Sequence, residues 1–164
     1  MLIREVRIGD APSLIRCIDE ISREGIYFLN EKYSVDEDEE RARIENHIRR
    51  GDVFLVAEEN GVVVGFVIIR RGKYSKNRHV GYLGIGVRKD YRGKGIGKSL
   101  MCEAERIARQ RGFEKICLEV FSSNRRAIKF YKKLGYKIEG KRKKQYIIGG
   151  KYVDEVLMGK WLKN

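Results

Sequence analysis

A chain of 164 residues, 42% hydrophobic and 36% charged, holds enough apolar material for one core of ordinary domain size, which excludes wholesale disorder and sets the expectation of a single domain over residues 1–164. The longest apolar run, Val62 to Ile69, is far short of a bilayer span, and the alternating start Met-Leu-Ile-Arg-Glu-Val-Arg-Ile has neither the apolar stretch nor the cleavage site of a secretory signal, so a cytoplasmic protein with no membrane partner is expected. The surplus of 36 Lys and Arg over 23 Asp and Glu, a net +13, directs attention to anionic partners: nucleic acid, acidic protein surfaces or a phosphorylated cofactor.

Residues 2–8 alternate as a strand does, and Asp10 offers an N-cap to a helix with Pro12 in its first turn and apolar Leu14, Ile15, Ile18 and Ile21. Ser34 with Glu37 reads as a capping box for a second helix that ends near Arg49, Arg50 and Gly51. Two β-rich runs, Val53–Glu58 and Val62–Arg70, flank Asn60-Gly61, the strongest short hairpin signal. His79–Val87 continues the meander with glycines at 81, 84 and 86, which in a strand mark a bulge or a close approach to the backbone. Ile96, Leu100, Ala104, Ile107 and Ala108 share a helical face that stops at Gly112; Lys115–Val120 reads as a strand; a helix from about Ser123 closes at Gly135. Tyr136–Ile148 and Tyr152–Leu162 around Gly149-Gly150 form a long hairpin. The order β-α-α-β-β-β-α-β-α-β-β predicts an α/β fold with a mixed, mostly antiparallel sheet. One strand-helix-strand crossover then places a site near Val87 and Val120.

Arg92-Gly93-Lys94-Gly95-Ile96-Gly97-Lys98-Ser99 stands between a strand and a helix and joins glycines to three cations. Glycines admit a ligand close to the backbone, while the free N–H groups and the dipole of a helix start favour an anion. A Walker A loop would need glycine at position 92, and a dinucleotide fingerprint would need one at 98, so neither fits. The pattern Arg/Gln-x-x-Gly-x-Gly/Ala is met at every position from Arg92 to Gly97. A second pattern follows in Asn124, Ala127, Phe130, Tyr131, Leu134, Gly135 and Tyr136. In these two motifs, and in element order over nearly the whole chain, the sequence resembles the GNAT superfamily of acyl-coenzyme A N-acyltransferases.

That resemblance implies a V-shaped opening between the strands ending near Val87 and Val120, with acetyl-CoA wedged into it as co-substrate. It further implies pairing of the pantetheine arm with the backbone of Ile85 and Val87, a bulge at Gly84 and Gly86, and a carbonyl-polarising amide near Ile85. The pyrophosphate would be held by Arg92, Gly93, Lys94, Gly95, Ile96, Gly97 and Lys98. Asn124 would bond the pantetheine or cap its helix, and Tyr131 would protonate the departing thiolate or serve only as core. Many relatives carry a glutamate base where Tyr82 stands here, so Glu119 becomes the candidate base, with Glu24 a further one. The acceptor would be a primary amine, an α-amine rather than a lysine.

The remaining features have plainer readings. Cys17, Cys102 and Cys117 are odd in number and without a Cys-x-x-Cys pair, and His47 and His79 lack partners at ligand spacing, so neither a disulfide framework nor a metal is expected. Lys141–Lys144 reads as a solvated strand end. The alternative to an enzyme is a basic nucleic-acid-binding module without catalysis, against which the alternating glycines argue. Monomer and homodimer both stay open.

Overall fold

Strand β1 (Leu2–Glu5) and a 3-10 turn at Ile8–Asp10 lead into helices α1 (Ala11–Arg23) and α2 (Glu37–Arg49). The chain continues through β2 (Val53–Glu59), β3 (Val62–Arg71), β4 (Val80–Val87), α3 (Ile96–Gln110), β5 (Lys115–Phe121), α4 (Arg125–Lys133), β6 (Lys137–Ile148) and β7 (Lys151–Trp161), in a computed structural model that describes residues 1–164. The seven strands make one sheet in the order β1-β2-β3-β4-β5-β7-β6. Every neighbouring pair is antiparallel except β4 with β5, the pair joined by the crossover through α3. No helix is long and apolar enough to cross a membrane.

The hairpins turn where the sequence predicts them. Asn60 and Gly61 take φ of 51° and 78°, and Gly149 and Gly150 take 57° and 75°; positive φ at both central residues matches the twist of the flanking strands. Two caps differ from expectation. Asp10 does not cap α1 with its side chain: Arg4 holds both carboxylate oxygens at 2.8 Å, and the Arg7 amide, at the start of the 3-10 turn, donates to one of them at 2.7 Å. The cap of α2 is Asp36, which accepts from the Glu39 amide at 2.8 Å, two positions beyond Ser34.

Alternating strand residues build two cores on opposite faces of the sheet. On the first face, Leu55, Val67, Ile69, Ile116, Leu118 and Met158 pack against Leu100, Met101, Ala104 and Ala108 of α3 and against Tyr131 of α4. On the second, Phe54, Val56, Phe66 and Ile68 pack against Leu14, Cys17 and Ile21 of α1 and Ile44 of α2. No residue of β5, β6 or β7 joins that second core. The second face of those strands is left as the wall of a cavity.

The parallel ladder between β4 and β5 runs only through Val80–Lys115, Gly81–Ile116 and Tyr82–Cys117. A Cβ on Gly81 would lie 2.3 Å from Ile69 Cγ2 and 2.9 Å from Phe113 Cδ1, so glycine is what lets both side chains close over the start of the ladder. Gly81→Ala is expected to destabilise the protein by about 1–3 kcal/mol through overpacking, read as a thermal midpoint lowered by several degrees; a midpoint equal to wild type would contradict this packing.

Candidate active site

Beyond Tyr82 and Cys117 the two central strands part. The Arg88 amide bonds to the Val64 carbonyl of β3 at 2.9 Å, and the Val80 carbonyl takes the Gly72 amide at 3.0 Å. Main-chain groups alternate sides along a strand, so Leu83, Ile85 and Val87 turn theirs toward the gap. The Val87 carbonyl accepts from Arg92 Nε at 2.8 Å.

The register of β4 with β3 is continuous from Gly81 to Val87, so the bulge expected at Gly84 and Gly86 is absent. The glycines serve packing instead. A Cβ on Gly86 would come within 2.8 Å of Ile21 Cδ1 and 2.9 Å of Phe28 Cζ, whereas one on Gly84 would meet only Ile68 Cγ2, at 3.3 Å. Gly86 thus admits α1 and the segment after it onto β4, and Gly84 leaves the cavity floor low.

The turn before α3 has the geometry of an anion cradle. Gly93 and Gly95 take φ of 75° and 83°, α3 starts at Ile96, and no backbone N–H from Gly93 to Lys98 has a hydrogen-bond partner. Lys94 and Lys98 are exposed beside it. Arg126 Nη2 would lie 3.9 Å from a Cβ on Gly93. Arg92 departs from its expected role: its guanidinium donates to Glu24 Oε1 at 2.8 Å, pairs with Glu24 Oε2 as well, and lies 4.7 Å over the Tyr27 ring. It fastens the turn to the end of α1, and Glu24 is occupied by the same contact. Asn124 Oδ1 accepts from the Ala127 amide at 3.2 Å, which makes it the cap of α4 with its amide nitrogen unengaged.

Tyr131 and Glu119 lie on opposite faces of the sheet. Tyr131 packs on the first face between Phe130 and Tyr136, with ring centroids 5.5 and 5.9 Å away, and its hydroxyl has no hydrogen-bond partner. Burial raises its pKa, so at neutral pH it is a protonated phenol. Glu119 lies on the second face, where a cavity of about 1030 Å³ is lined by Tyr82, Gly84 and Ile85 of β4, by Glu119 and Phe121 of β5, and by Glu155 of β7. Partial desolvation there lifts the Glu119 carboxyl above the usual carboxylate range; Glu155 beside it adds to the rise and Arg142 opposes it.

Two residues of this region were not singled out in the sequence, though each left a signal. Arg126 puts a cation in the first turn of α4, where the helix dipole disfavours it unless an anion is near. Glu155 shares its strand phase with apolar Val153 and Leu157, and it is 2% exposed. Cys117 lines the cavity as a free thiol, and Lys141–Lys144 lies exposed on edge strand β6.

Residues 18–136 match the model of the acetyltransferase (GNAT) family, so the chain belongs to that family. It is 37% identical over 113 residues to the L-amino acid N-acetyltransferase AaaT of Escherichia coli K12, a match covering 68% of this chain and 70% of the relative. A match to an acetyltransferase of Sodalis glossinidius, SG1711, is 41% identical over 88 residues and covers 54% of this chain, but it spans only 59% of that relative's length. Among solved structures, a ribosomal-protein-alanine N-acetyltransferase from Brucella melitensis superposes with a TM-score of 0.89 at 28% identity, over 98% of this chain and 99% of its own.

The Arg92–Glu24 pair is half-hidden, with both side chains 20% exposed. A double-mutant cycle with Arg92→Ala and Glu24→Ala is expected to give a coupling of about 1–2 kcal/mol in urea unfolding. Additive losses would show that the pair does not fasten the turn.

Proposed function

We propose that the protein transfers the acetyl group of acetyl-CoA to the α-amine of a peptide, a protein N-terminus or a small amino acid. The observation that carries this reading is the unpaired inner edge of β4, which ends at a turn whose amides from Gly93 to Lys98 have no partner. An extended, amide-bearing arm can pair with such an edge, and a pyrophosphate suits such a turn.

Acetyl-CoA supplies the acyl group already activated as a thioester. Ile85 and Val87 offer main-chain groups to the pantetheine arm, and an amide at Ile85 polarises the thioester carbonyl. The amides from Gly93 to Lys98, with Lys94, Lys98 and Arg126, neutralise the phosphates. Tyr131, a protonated phenol with a free hydroxyl, gives its proton to the departing sulfur. Glu119 takes a proton from the amine arriving through the cavity. Placing the two groups on opposite faces lets the amine approach from one side while the thiolate leaves toward the other, which is the arrangement a direct attack needs.

The α-amine preference rests on the strength of the base. An α-amino group, with pKa about 7.7–8.0, is roughly a tenth neutral at pH 7, whereas a lysine amine near 10.4 is neutral in about one molecule in 2,500. A carboxylate base therefore has far less to do for the former. AaaT and the Brucella enzyme, one named for L-amino acids and the other for a protein alanine, agree with that preference.

The test compares peptides with a free N-terminus and no lysine against N-terminally blocked peptides containing lysine, using wild type and Tyr131→Phe. The free N-termini are expected to turn over faster, and the Phe variant should lose about ten- to a thousandfold in kcat with coenzyme affinity nearly unchanged. Faster turnover of the blocked set overturns the acceptor, and full activity of Tyr131→Phe overturns the acid.

A further inference from the structure

Glu155 holds the one side-chain oxygen or nitrogen that is itself fully buried and lacks any partner. Its Oε2 accepts from the Tyr146 hydroxyl at 2.6 Å, while Oε1 is fully buried and has none. The contrast with the other buried acids is informative. Asp52 bonds His47 at 2.8 Å and lies 3.5 Å from Arg50; Glu105 takes Lys160 at 2.7 Å and the Tyr136 hydroxyl at 3.1 Å; Glu40 has only the Tyr33 hydroxyl, at 2.6 Å, but leaves no buried oxygen orphaned. In a chain carrying +13, Glu155 pairs with no cation, even though Arg142 is its register partner on β6. An unpartnered carboxylate oxygen out of water costs stability, and packing alone does not explain its presence.

The strand register shows what lies nearest to it. Glu155 is opposite Phe121 on β5, so Glu119, two residues earlier, is its diagonal neighbour on the same face. The negative charge of Glu155 beside it raises the proton affinity of Glu119. Tyr146 fixes the other oxygen and stacks edge-on against Phe121 at 5.2 Å, which holds the Glu155 side chain in one orientation.

We propose that Glu155 is the positioning residue for the base: when Glu119 takes the proton of the incoming ammonium, that proton is received in a hydrogen bond to Glu155 Oε1. This rests on Glu119 being the base, as in the function proposed above. The proton balance is simple. The alkylammonium loses one N–H bond, Glu119 gains one O–H bond, and the free amine keeps the electron pair that attacks the thioester carbonyl. The proton then passes from Glu119 to water, and Glu155 keeps its charge throughout. The orphaned oxygen is thus unsatisfied only between turnovers, and a neighbouring negative charge gives a lone carboxylate the proton affinity that an amine acceptor demands.

The experiment is the pH profile of kcat/KM for the amine, measured for wild type, Glu119→Gln, Glu155→Gln and Tyr146→Phe. The other titratable or charged groups lining the cavity are Glu139, Arg142 and Tyr146 from β6, Lys115 and Cys117 from β5, Tyr82 from β4, Arg70 and Arg71 from β3, Lys73 and Tyr74 from the loop after it, Arg50 at the end of α2, and Tyr27 and Tyr33 from the segment after α1. Of these, Arg142 lowers the proton affinity of Glu119. Glu155→Gln removes a negative neighbour, so the acid limb should move to lower pH, while kcat on the plateau falls about tenfold because a weaker base remains. Tyr146→Phe leaves that charge in place and removes a donor that competes for it. Its limb should stay or move to higher pH. Merely loosened packing would not move the two limbs apart. An unmoved limb in Glu155→Gln, or a limb moved to lower pH in Tyr146→Phe, overturns the role of Glu155, and the second variant decides the matter if the first does not fold. Full turnover by Glu119→Gln instead defeats the base assignment beneath it.

Discussion

The parting of β4 from β5 is the constraint on which the rest of the molecule depends. Each strand keeps its outer partner along its whole length, β4 pairing with β3 as far as Val87 and β5 with β7 as far as Phe121. Between themselves they share three residue pairs and then separate. Backbone groups that lose a strand partner must find another or remain in water. The Leu83 carbonyl, both main-chain groups of Ile85 and the Val87 amide accordingly stand open along the inner edge of β4. The Arg92 clamp on Val87 and Glu24 fixes where that row ends, and the amides from Gly93 to Lys98 continue it around the corner.

The two sides of the gap divide the chemistry. The first face, under α3 and α4, gathers the free amides, the cations Lys94, Lys98 and Arg126, and the buried phenol of Tyr131. The second face carries carboxylates at Glu119 and Glu155 in a cavity that α1 and α2 leave uncovered. In the function proposed above, a phosphorylated donor and an ammonium-bearing acceptor have opposite charges, and the sheet would keep their sites apart while the gap joins them. The large positive surplus, which on composition alone suggested nucleic acid as readily as a coenzyme, has at the turn a local cluster without carboxylate partners. Elsewhere many of the individual cations sit in ion pairs, such as Arg4 with Asp10 and Glu58.

Element order, the Asn60-Gly61 hairpin and the crossover were legible because they follow from local pattern: period, turn chemistry and helix faces. The glycine turn was legible because its chemistry is contiguous in sequence. What could not be read was decided by partners far along the chain. Asp10 looked like a cap until Arg4 claimed it. Arg92 looked like a phosphate ligand, yet Glu24, 68 residues away, holds it. Gly84 and Gly86 suggested a bulge, whereas Gly86 clears space for Ile21 and Phe28. Glu155 becomes meaningful only once β5 and β7 are in register and set it diagonal to Glu119.

Hydrogen exchange of backbone amides with and without acetyl-CoA tests the central claim most directly, because it reads the gap itself. The account predicts new protection at Ile85 and Val87 and across Gly93–Lys98, with β6 unchanged. Protection confined to β6 or β7, or none along the inner edge of β4, would contradict it.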